Sequence, residues 1–406
     1  MPAPETVLSP PAPPLTFGRP MLDHWLLDPD VLHLNHGTVG ATPRCVLDEQ
    51  ARLRDEIERN PARFLLRELA GAQAGGAERA RNRLREAAEE VAAFFGVRGE
   101  DLMFTDNTTT AANAVLRSFD FRPDDEIVLF DHSYGALRKT AEYVARRAGA
   151  HVRIAEIPFP GTTEAGVLRA LEGALTARTR LAILDHITAP SALLLPLAEM
   201  AALCRRRGIA VFGDGAHAPG AIPLDIGALG VDWYAGNLHK WGWAPRSSAI
   251  LWVDRARQEG LHPTTISWGL DQGVAAEFDW VGTRDPTPYL AAPAALAFMK
   301  SLGVERVQRH NHELAWEAGQ LLARRWGTEL PAPETMVGTM VAVRVPEGAG
   351  STFEAASRLR DALLFEEGIE VHLPVVGDAL FVRVSAQIYN EISDVERLAE
   401  AVLRRV

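Results

Sequence analysis

The chain has 406 residues, 47% of them hydrophobic, and a formal net charge of −11. This length exceeds one ordinary domain and suggests a large core domain with a smaller companion. The acidic balance argues against non-specific affinity for nucleic acid or anionic membranes, since both need a basic surface. We therefore expect small-molecule partners, and neither nucleic acid nor a membrane.

The N-terminal residues are rich in proline and predict an extended arm. They lack a charged start and an apolar run long enough for a signal peptide or a membrane anchor. The two cysteines, Cys45 and Cys204, fall in segments with a helical pattern. Their spacing fits neither a disulfide framework nor a zinc site. We expect a cytoplasmic protein without a metal site.

Thr42 and Pro43 predict the start of a helix whose pattern ends at Asn60 and Pro61. From about residue 77, amphipathic helices alternate with short apolar strands. The helices are predicted at about 77–95, from 108, at 136–147 and up to 207, and the strands at 102–105, 126–130, 151–157, 180–186, 209–213, 231–235 and 248–253. Such alternation predicts a mostly parallel sheet covered on both faces, with ligands at the carboxyl ends of its strands.

The pattern changes after about residue 300. A long helical stretch is followed by strands at 340–345, near 369–372 and at 379–385, with helices at 353–367 and at the end. This order predicts a smaller α+β domain. We expect an N-terminal segment at 1–34 that packs with the small domain, a large domain at 35–300 and a small domain at 301–406.

The strand at 209–213 delivers Asp214 and His217 to its carboxyl end, and Lys240 follows after one further strand. A strand-end aspartate alone is typical of a turn cap. The combination of Asp214 and Lys240, joined by one further strand, is stronger evidence for a functional site than the aspartate alone.

At these residues the sequence resembles the class V aminotransferases, which are fold-type I pyridoxal-phosphate enzymes, and within them the isopenicillin N epimerase-like group. The resemblance runs from about residue 31 to the C-terminus. The segments that carry it are LNHG at 34–37, DNTTT at 106–110, DHSY at 131–134, HITAP at 186–190, DGAH at 214–217, NLHK at 237–240, GTRDP at 282–286 and RVSAQIYN at 383–390. It implies an α/β fold with a mostly parallel seven-stranded sheet in the large domain, a small α+β domain, and pyridoxal 5′-phosphate as cofactor.

The resemblance assigns the cofactor contacts around Lys240, which would hold the cofactor as a Schiff base. A desolvated lysine of lowered pKa can act as nucleophile and then as general base. Asp214 would pair with the pyridine nitrogen, so that negative charge from the substrate Cα spreads into the ring. His217 would lie near the phenolic oxygen or brace the aspartate, with a purely structural histidine as the alternative.

His132 follows a predicted strand at the position from which family members stack an imidazole on the cofactor ring. Tyr134, two residues later, would be a general acid that faces the substrate. Packing with a bonded hydroxyl is the alternative for Tyr134.

The phosphate would bind at the start of the helix from Thr108, where backbone N–H groups, hydroxyls and the helix dipole favour an anion. Thr108 and Thr109 would contribute, although simple capping of the helix by threonine produces the same local sequence. His239, Thr283 and Arg284 resemble further phosphate contacts. Because family members commonly take the last two from the neighbouring subunit, the resemblance implies a homodimer with shared active sites.

Arg383 resembles the arginine that binds the substrate's α-carboxylate, a task suited to a planar bidentate donor. A surface salt bridge is the alternative. Asn35 would contact the same end of the substrate or serve in a turn. Ala189 and Ala192 depart from the family, which usually has serine or asparagine and glycine there, and this leaves Thr188 or Ser191 as substitute donors.

Four reactions are compatible with this set: epimerisation, loss of a β-substituent by a C–S lyase, transamination and sulfur transfer. Sulfur transfer needs a mobile cysteine in the C-terminal third, and no cysteine follows Cys204. The subgroup favours a lyase or an epimerase acting at Cα over an aminotransferase. A non-catalytic binding protein with this fold would have an eroded cofactor set, whereas Lys240, Asp214 and Arg383 are all present.

Overall fold

The computed structural model describes residues 15–70 and 82–406. The first 14 residues of the expected arm, and the expected start of a helix near residue 77, lie outside this part of the chain. The strands in chain order are β1 (Leu32–His33), β2 (Leu102–Thr105), β3 (Glu126–Phe130), β4 (His151–Ala155), β5 (Thr179–Asp185), β6 (Ala210–Asp214), β7 (Trp233–Asn237), β8 (Ala249–Val253), β9 (Met340–Arg344), β10 (Ile369–Glu370), β11 (Val375–Val376) and β12 (Ala379–Ser385).

Helices surround these strands and connect them. In chain order they are α1 (His36–Val39), α2 (Arg44–Arg59), α3 (Pro61–Arg63), α4 (Arg83–Phe94), α5 (Thr108–Ser118), α6 (Gly135–Ala148), α7 (Glu164–Ala174), α8 (Leu197–Arg206), α9 (Val274–Asp279), α10 (Thr287–Leu290), α11 (Ala292–Leu302), α12 (Val304–Trp326), α13 (Phe353–Glu367) and α14 (Ile392–Leu403).

A seven-stranded sheet with the order β2-β8-β7-β6-β5-β3-β4 forms the larger core. The strands β3 to β7 pair in parallel, whereas β8 runs antiparallel to both of its neighbours, β7 and β2. Residues on both faces of β3 are fully buried, including Ile127 and Val128, because helices cover the two sides of the sheet. The predicted α/β fold with a mostly parallel sheet is confirmed.

The helix α7 was missed by the sequence prediction. Its start carries a capping signal, because the side chain of Thr163 accepts a hydrogen bond from the backbone N–H of Gly166. Val167 and Leu171, one helical turn apart, are fully buried. Two glycines within the segment weaken its helical propensity, so packing against the sheet stabilises the helix.

The C-terminal part has a three-stranded antiparallel sheet with the order β11-β12-β9. The helix α12 contacts β9 and α14, and the apolar side chains between them form a separate cluster. The strand β1 joins this part by pairing in parallel with β10, Leu32 opposite Ile369. This pairing supports the expected packing of the N-terminal segment, while the domain limits at 34 and 300 stay a proposal.

No helix in residues 15–70 or 82–406 combines the length and the apolar character that a membrane span requires.

Candidate active site

A cavity of about 830 Å³ opens at the carboxyl ends of the central parallel strands. This is the sheet edge at which the strand order predicts a ligand. Eight residues proposed from the sequence line it together: Thr108, Thr109, Tyr134, Asp214, His217, His239, Lys240 and Arg383. Their roles stay predictions, whereas their convergence is a property of the fold.

Lys240 lies in the connection between β7 and β8, and α1 packs closely against it. Gly40, at the end of α1, has a φ of +70°, and a Cβ there would overlap the carbonyl oxygen of His239. Glycine is therefore required at this close approach. The contact carries Gly37 and Thr38 of α1 into the wall of the cavity.

The amine of Lys240 is 3.1 Å from Nε2 of His217. Burial lowers the pKa of Lys240 to about 7, and the charge of Arg383 acts in the same direction, opposed by Asp214. Burial, followed by the charge of Lys240, also holds the pKa of His217 well below its usual range. Near neutral pH, a substantial fraction of Lys240 is therefore the free amine that a nucleophile requires.

Asp214 is the last residue of β6 and is 3% exposed. One carboxylate oxygen accepts a hydrogen bond from the backbone N–H of Ala216 at 3.0 Å. Burial raises the pKa of Asp214 to about 6, and the Ala216 N–H and the charge of Lys240 limit this rise. A buried carboxylate with a free oxygen in the cavity suits a protonated ring nitrogen.

The start of α5 has the donors that a phosphate needs. Asn107, rather than a threonine, caps the helix by accepting the backbone N–H of Thr110 at 2.9 Å. The hydroxyl of Thr108 is consequently buried without a hydrogen-bond partner among the described residues, and it lines the cavity. An orphaned hydroxyl at a helix N-terminus fits a bound phosphate group. His239 lines the same cavity, with Nδ1 held by the carbonyl of Ser248 at 3.2 Å.

Arg383 is a buried cation, 2% exposed, and no carboxylate in the described chain forms an ion pair with it. Its guanidinium donates to the hydroxyl of Thr38 at 2.8 Å and to the carbonyl of Ala189. Nε has no partner among the described residues. Burial lowers its pKa to about 10, so the group stays charged at neutral pH. The alternative of a surface salt bridge is wrong, and the arrangement suits an anionic substrate group.

Asn35 is not among the residues that line the cavity, and its contact with the substrate stays a prediction. Its amide donates to Glu370 at 2.6 Å, and its side-chain oxygen accepts the hydroxyl of Thr38. Asn35 therefore orients Thr38, which in turn holds Arg383. Thr38 was missed by the sequence analysis, although its position three residues after Asn35 was a usable signal.

His132 is not among the residues that line the cavity, and its stacking on the cofactor ring stays a prediction. Its imidazole is 4% exposed, packs edge-on against Phe159, and has Nδ1 2.7 Å from the hydroxyl of Ser191. That hydroxyl is 2.7 Å from the hydroxyl of Thr188. Thr188 and Ser191, the expected substitutes at the altered motif, thus bond to each other, and Ser191 also bonds to His132.

Thr283 and Arg284 lie outside this cavity within a single chain. The guanidinium of Arg284 is 3.6 Å from the carboxylate of Asp106 and 4.8 Å from the ring centre of Tyr289. Asp106 directly precedes the cap of α5. A phosphate contact from these residues within one chain is therefore not supported, and a contribution to a neighbouring subunit stays a prediction.

Three further cavity residues were missed by the sequence analysis: Asp185, Asn237 and His372. Asn237 accepts the backbone N–H of Thr108 at 3.0 Å and so ties the end of β7 to α5. His372 reaches the site because its carbonyl accepts the backbone N–H of Arg383 at 2.8 Å. No motif indicated His372, whereas Asp185 ends a strand that was correctly predicted.

The chain is similar to several known proteins. The family described as "Aminotransferase class-V" matches residues 38–398. The chain is 32% identical over 407 residues to the "Probable L-cysteine desulfhydrase, chloroplastic" of Arabidopsis thaliana, covering 92% of this chain and 83% of that protein. It is 33% identical over 395 residues to the isopenicillin N epimerase of Streptomyces clavuligerus, covering 93% and 95%.

The fold is similar to that of a cysteine desulfurase from Thermococcus onnurineus NA1, with a TM-score of 0.78, 18% identity, and coverage of 96% of this chain and 98% of that one. The family match spans most of the chain and includes the cavity residues from Thr38 to Arg383. The chain belongs to the class V aminotransferase family and is a pyridoxal-phosphate-dependent enzyme.

Proposed function

We propose that the protein is a lyase that breaks the Cβ–S bond of a sulfur-containing α-amino acid. The observation that carries the proposal is the placement of a buried Arg383, which has no carboxylate partner among the described residues, in one cavity with Lys240, whose pKa is about 7. Such a site offers an anchor for a carboxylate and a free amine for a proton. The similarity to a protein named L-cysteine desulfhydrase supports the choice of substrate class.

When bound, pyridoxal phosphate supplies an electron sink for negative charge at the substrate Cα. Arg383 would bind the α-carboxylate through its planar donors and so orient the Cα–H bond. Lys240 would accept the Cα proton as general base. Tyr134, which is 48% exposed and lines the cavity, would donate a proton to the departing sulfur.

The cysteines argue for release of the sulfur rather than its transfer to the protein. Cys45 lies in α2 and Cys204 is buried in α8, and neither lines the cavity. A protein-bound sulfur acceptor would need a thiolate within reach of the substrate. We therefore propose that sulfur leaves as sulfide or as a thiol.

Epimerisation at Cα is the second candidate, and the similarity to isopenicillin N epimerase favours it. An epimerase needs a group that returns a proton to the face opposite the base. His372 and Tyr134 are titratable groups of the cavity that would be available for this step. Transamination needs neither His372 nor Tyr134 and is the remaining alternative for the reaction. The presence of Lys240, Asp214 and Arg383 argues against a non-catalytic protein.

We also propose that two copies form a homodimer with shared sites. Support comes from Arg284, which lies outside the cavity of its own chain yet beside Asp106. Nearby in sequence, Trp268 is 79% exposed and Ile266 is 53% exposed, and exposed apolar side chains of this size favour an interface. A cytoplasmic location likewise stays a proposal, since one relative is named as chloroplastic.

The experiment that tests the proposed reaction is product identification in D₂O with L-cysteine and S-substituted cysteines. A lyase should yield pyruvate, ammonia and the sulfur product in equal amounts. An epimerase should instead return the substrate with deuterium at Cα and inverted configuration, without pyruvate. In the Tyr134→Phe variant, formation of the product should slow more than exchange of the Cα hydrogen with solvent. Turnover of a substrate that retains its Cα hydrogen would refute both reactions.

A further inference from the structure

Asp185 and Asp214 are neighbouring carboxyl groups in the cavity wall. They are register partners at the ends of the parallel strands β5 and β6, so their side chains point to the same face of the sheet. Asp185 is 1% exposed and Asp214 is 3% exposed, and both line the cavity. Ionising both carboxyls would place two negative charges close together in a buried site, which is unfavourable in free energy. One of the two carboxyls therefore keeps its proton to a higher pH than the other.

Hydrogen bonds tie Asp185 to the turn that follows β3. The hydroxyl of Ser133 donates to one carboxyl oxygen of Asp185 at 2.5 Å, and the same hydroxyl accepts the backbone N–H of Phe130 at 3.2 Å. The next residue, Tyr134, precedes the first turn of α6 and lines the cavity. Asp185 therefore holds the backbone that presents the phenol of Tyr134.

The two carboxyls differ in what surrounds them. Burial and the charge of Asp214 together raise the pKa of Asp185 to about 8, against the opposing hydrogen bond from Ser133. The charge of Lys240 lowers the pKa of Asp214, whereas the charge of Asp214 raises the pKa of Asp185. The titratable and charged groups that share the cavity with Asp185 are Tyr134, Asp214, His217, His239, Lys240, His372 and Arg383.

We propose that Asp185 works in its protonated form, as a positioning residue that holds the Ser133–Tyr134 turn and leaves the negative charge of the pair on Asp214. The protonated carboxyl keeps one oxygen as acceptor for Ser133 and offers its own O–H towards the cavity. Asp214 would then remain the anion available to the ring nitrogen of the cofactor. This role of Asp185 belongs to the cofactor site, so it would be the same in a lyase and in an epimerase.

The test compares Asp185→Asn, Asp185→Ala and Ser133→Ala in the full chain. The readout is the affinity of the cofactor-free protein for pyridoxal phosphate, measured by fluorescence titration from pH 6.5 to 9.5. An asparagine reproduces a neutral acceptor and donor, so Asp185→Asn should stay within about threefold of the wild-type affinity at pH 7. Asp185→Ala should bind at least about tenfold more weakly, because both hydrogen-bonding functions are lost.

The pH dependence separates this role from a merely structural one. Above pH 8, ionisation of Asp185 places a second anion beside Asp214, so the wild type should lose about tenfold more affinity than Asp185→Asn. In Ser133→Ala, ionised Asp185 lacks the hydrogen bond from the Ser133 hydroxyl, so its pKa should rise. The loss of affinity for pyridoxal phosphate should therefore begin at a higher pH than in the wild type. Lys240 is present in each of these proteins, so its titration cancels in the comparison.

Two results would overturn the proposal. If Asp185→Asn binds as weakly as Asp185→Ala at pH 7, the site needs an ionised carboxylate at this position. If Asp185→Asn and the wild type lose affinity in parallel with rising pH, Asp185 is not the titrating group. Thermal melting of each variant shows whether it folds, and should Asp185→Ala fail to fold, the Asp185→Asn and Ser133→Ala comparison decides the question.

Discussion

The amine of Lys240 lies 3.1 Å from Nε2 of His217, and burial lowers the pKa of both groups. A neutral imidazole adds no positive charge beside the lysine and can accept a hydrogen bond from it. The pair therefore holds the amine in a fixed position without raising the number of buried charges.

Replacing Lys240 with alanine should abolish the absorbance of the covalently attached cofactor and the adduct trapped by borohydride. The remaining lysines of the chain are Lys139 and Lys300, and Lys139→Ala and Lys300→Ala serve as matched controls that should retain the adduct. Peptide mass spectrometry of the reduced protein identifies the modified residue. A cofactor peptide that contains a different lysine would refute the assignment.

The rate at which added pyridoxal phosphate attaches to the cofactor-free protein should rise with pH and reach half its maximum near pH 7. Only the neutral amine attacks, and the pKa of Lys240 is lowered from 10.5 to about 7. Since the charge of Arg383 contributes to this lowering, Arg383→Gln should shift the midpoint upwards by roughly one unit. Stopped-flow absorbance measures the rate, and a wild-type midpoint above pH 9 would contradict the expectation.

Asp214→Asn should still attach the cofactor covalently while turnover falls by at least about 100-fold, a typical size for the loss of a catalytic group. The amide cannot stabilise a protonated ring nitrogen as a carboxylate does. Asp225, which caps a turn by accepting the backbone N–H of Ala228 at 3.3 Å, provides the control variant Asp225→Asn. Wild-type turnover in Asp214→Asn would show that Asp214 is only a structural cap.

Thr38→Val should raise the KM for the amino-acid substrate about tenfold, with a smaller effect on kcat. The hydroxyl accepts from Arg383 at 2.8 Å, and a hydrogen bond to a charged group contributes about 1.5–3 kcal/mol. Thr38→Ser should restore most of the affinity. Thr42→Val is the control, because Thr42 bonds to the carbonyl of Ala244 and does not line the cavity. An unchanged KM would show that the orientation of Arg383 does not depend on Thr38.

Arg284→Ala should weaken cofactor retention if the arginine completes a site in the neighbouring subunit. Mixing this variant with Lys240→Ala should then restore part of the activity, since one of the two sites in each hybrid dimer carries neither lesion. Size-exclusion chromatography with light scattering establishes the dimer, and differently tagged subunits verify exchange. No recovery after proven exchange would indicate that each site is built from one chain.

The sequence by itself was sufficient for the central sheet and for the expectation that Asp214 and Lys240 lie at one edge of it. Strands that are apolar on both faces and alternate with amphipathic helices predict a covered parallel sheet, and β6 then delivers Asp214 to the edge where ligands bind. Lys240 was proposed from the local motif NLHK at 237–240. These inferences rest on periodicity and on near neighbours in the chain, which the sequence displays directly.

The tertiary structure alone decided which polar groups meet. Arg383 and Thr38 are 345 residues apart, and Asn35 and Glu370 are 335 apart. Asn35 and His132 were expected in the cavity, yet both bond to residues from distant segments and remain outside its lining. A buried polar side chain takes the partner that the packing of its segment provides, and local sequence carries no record of that partner.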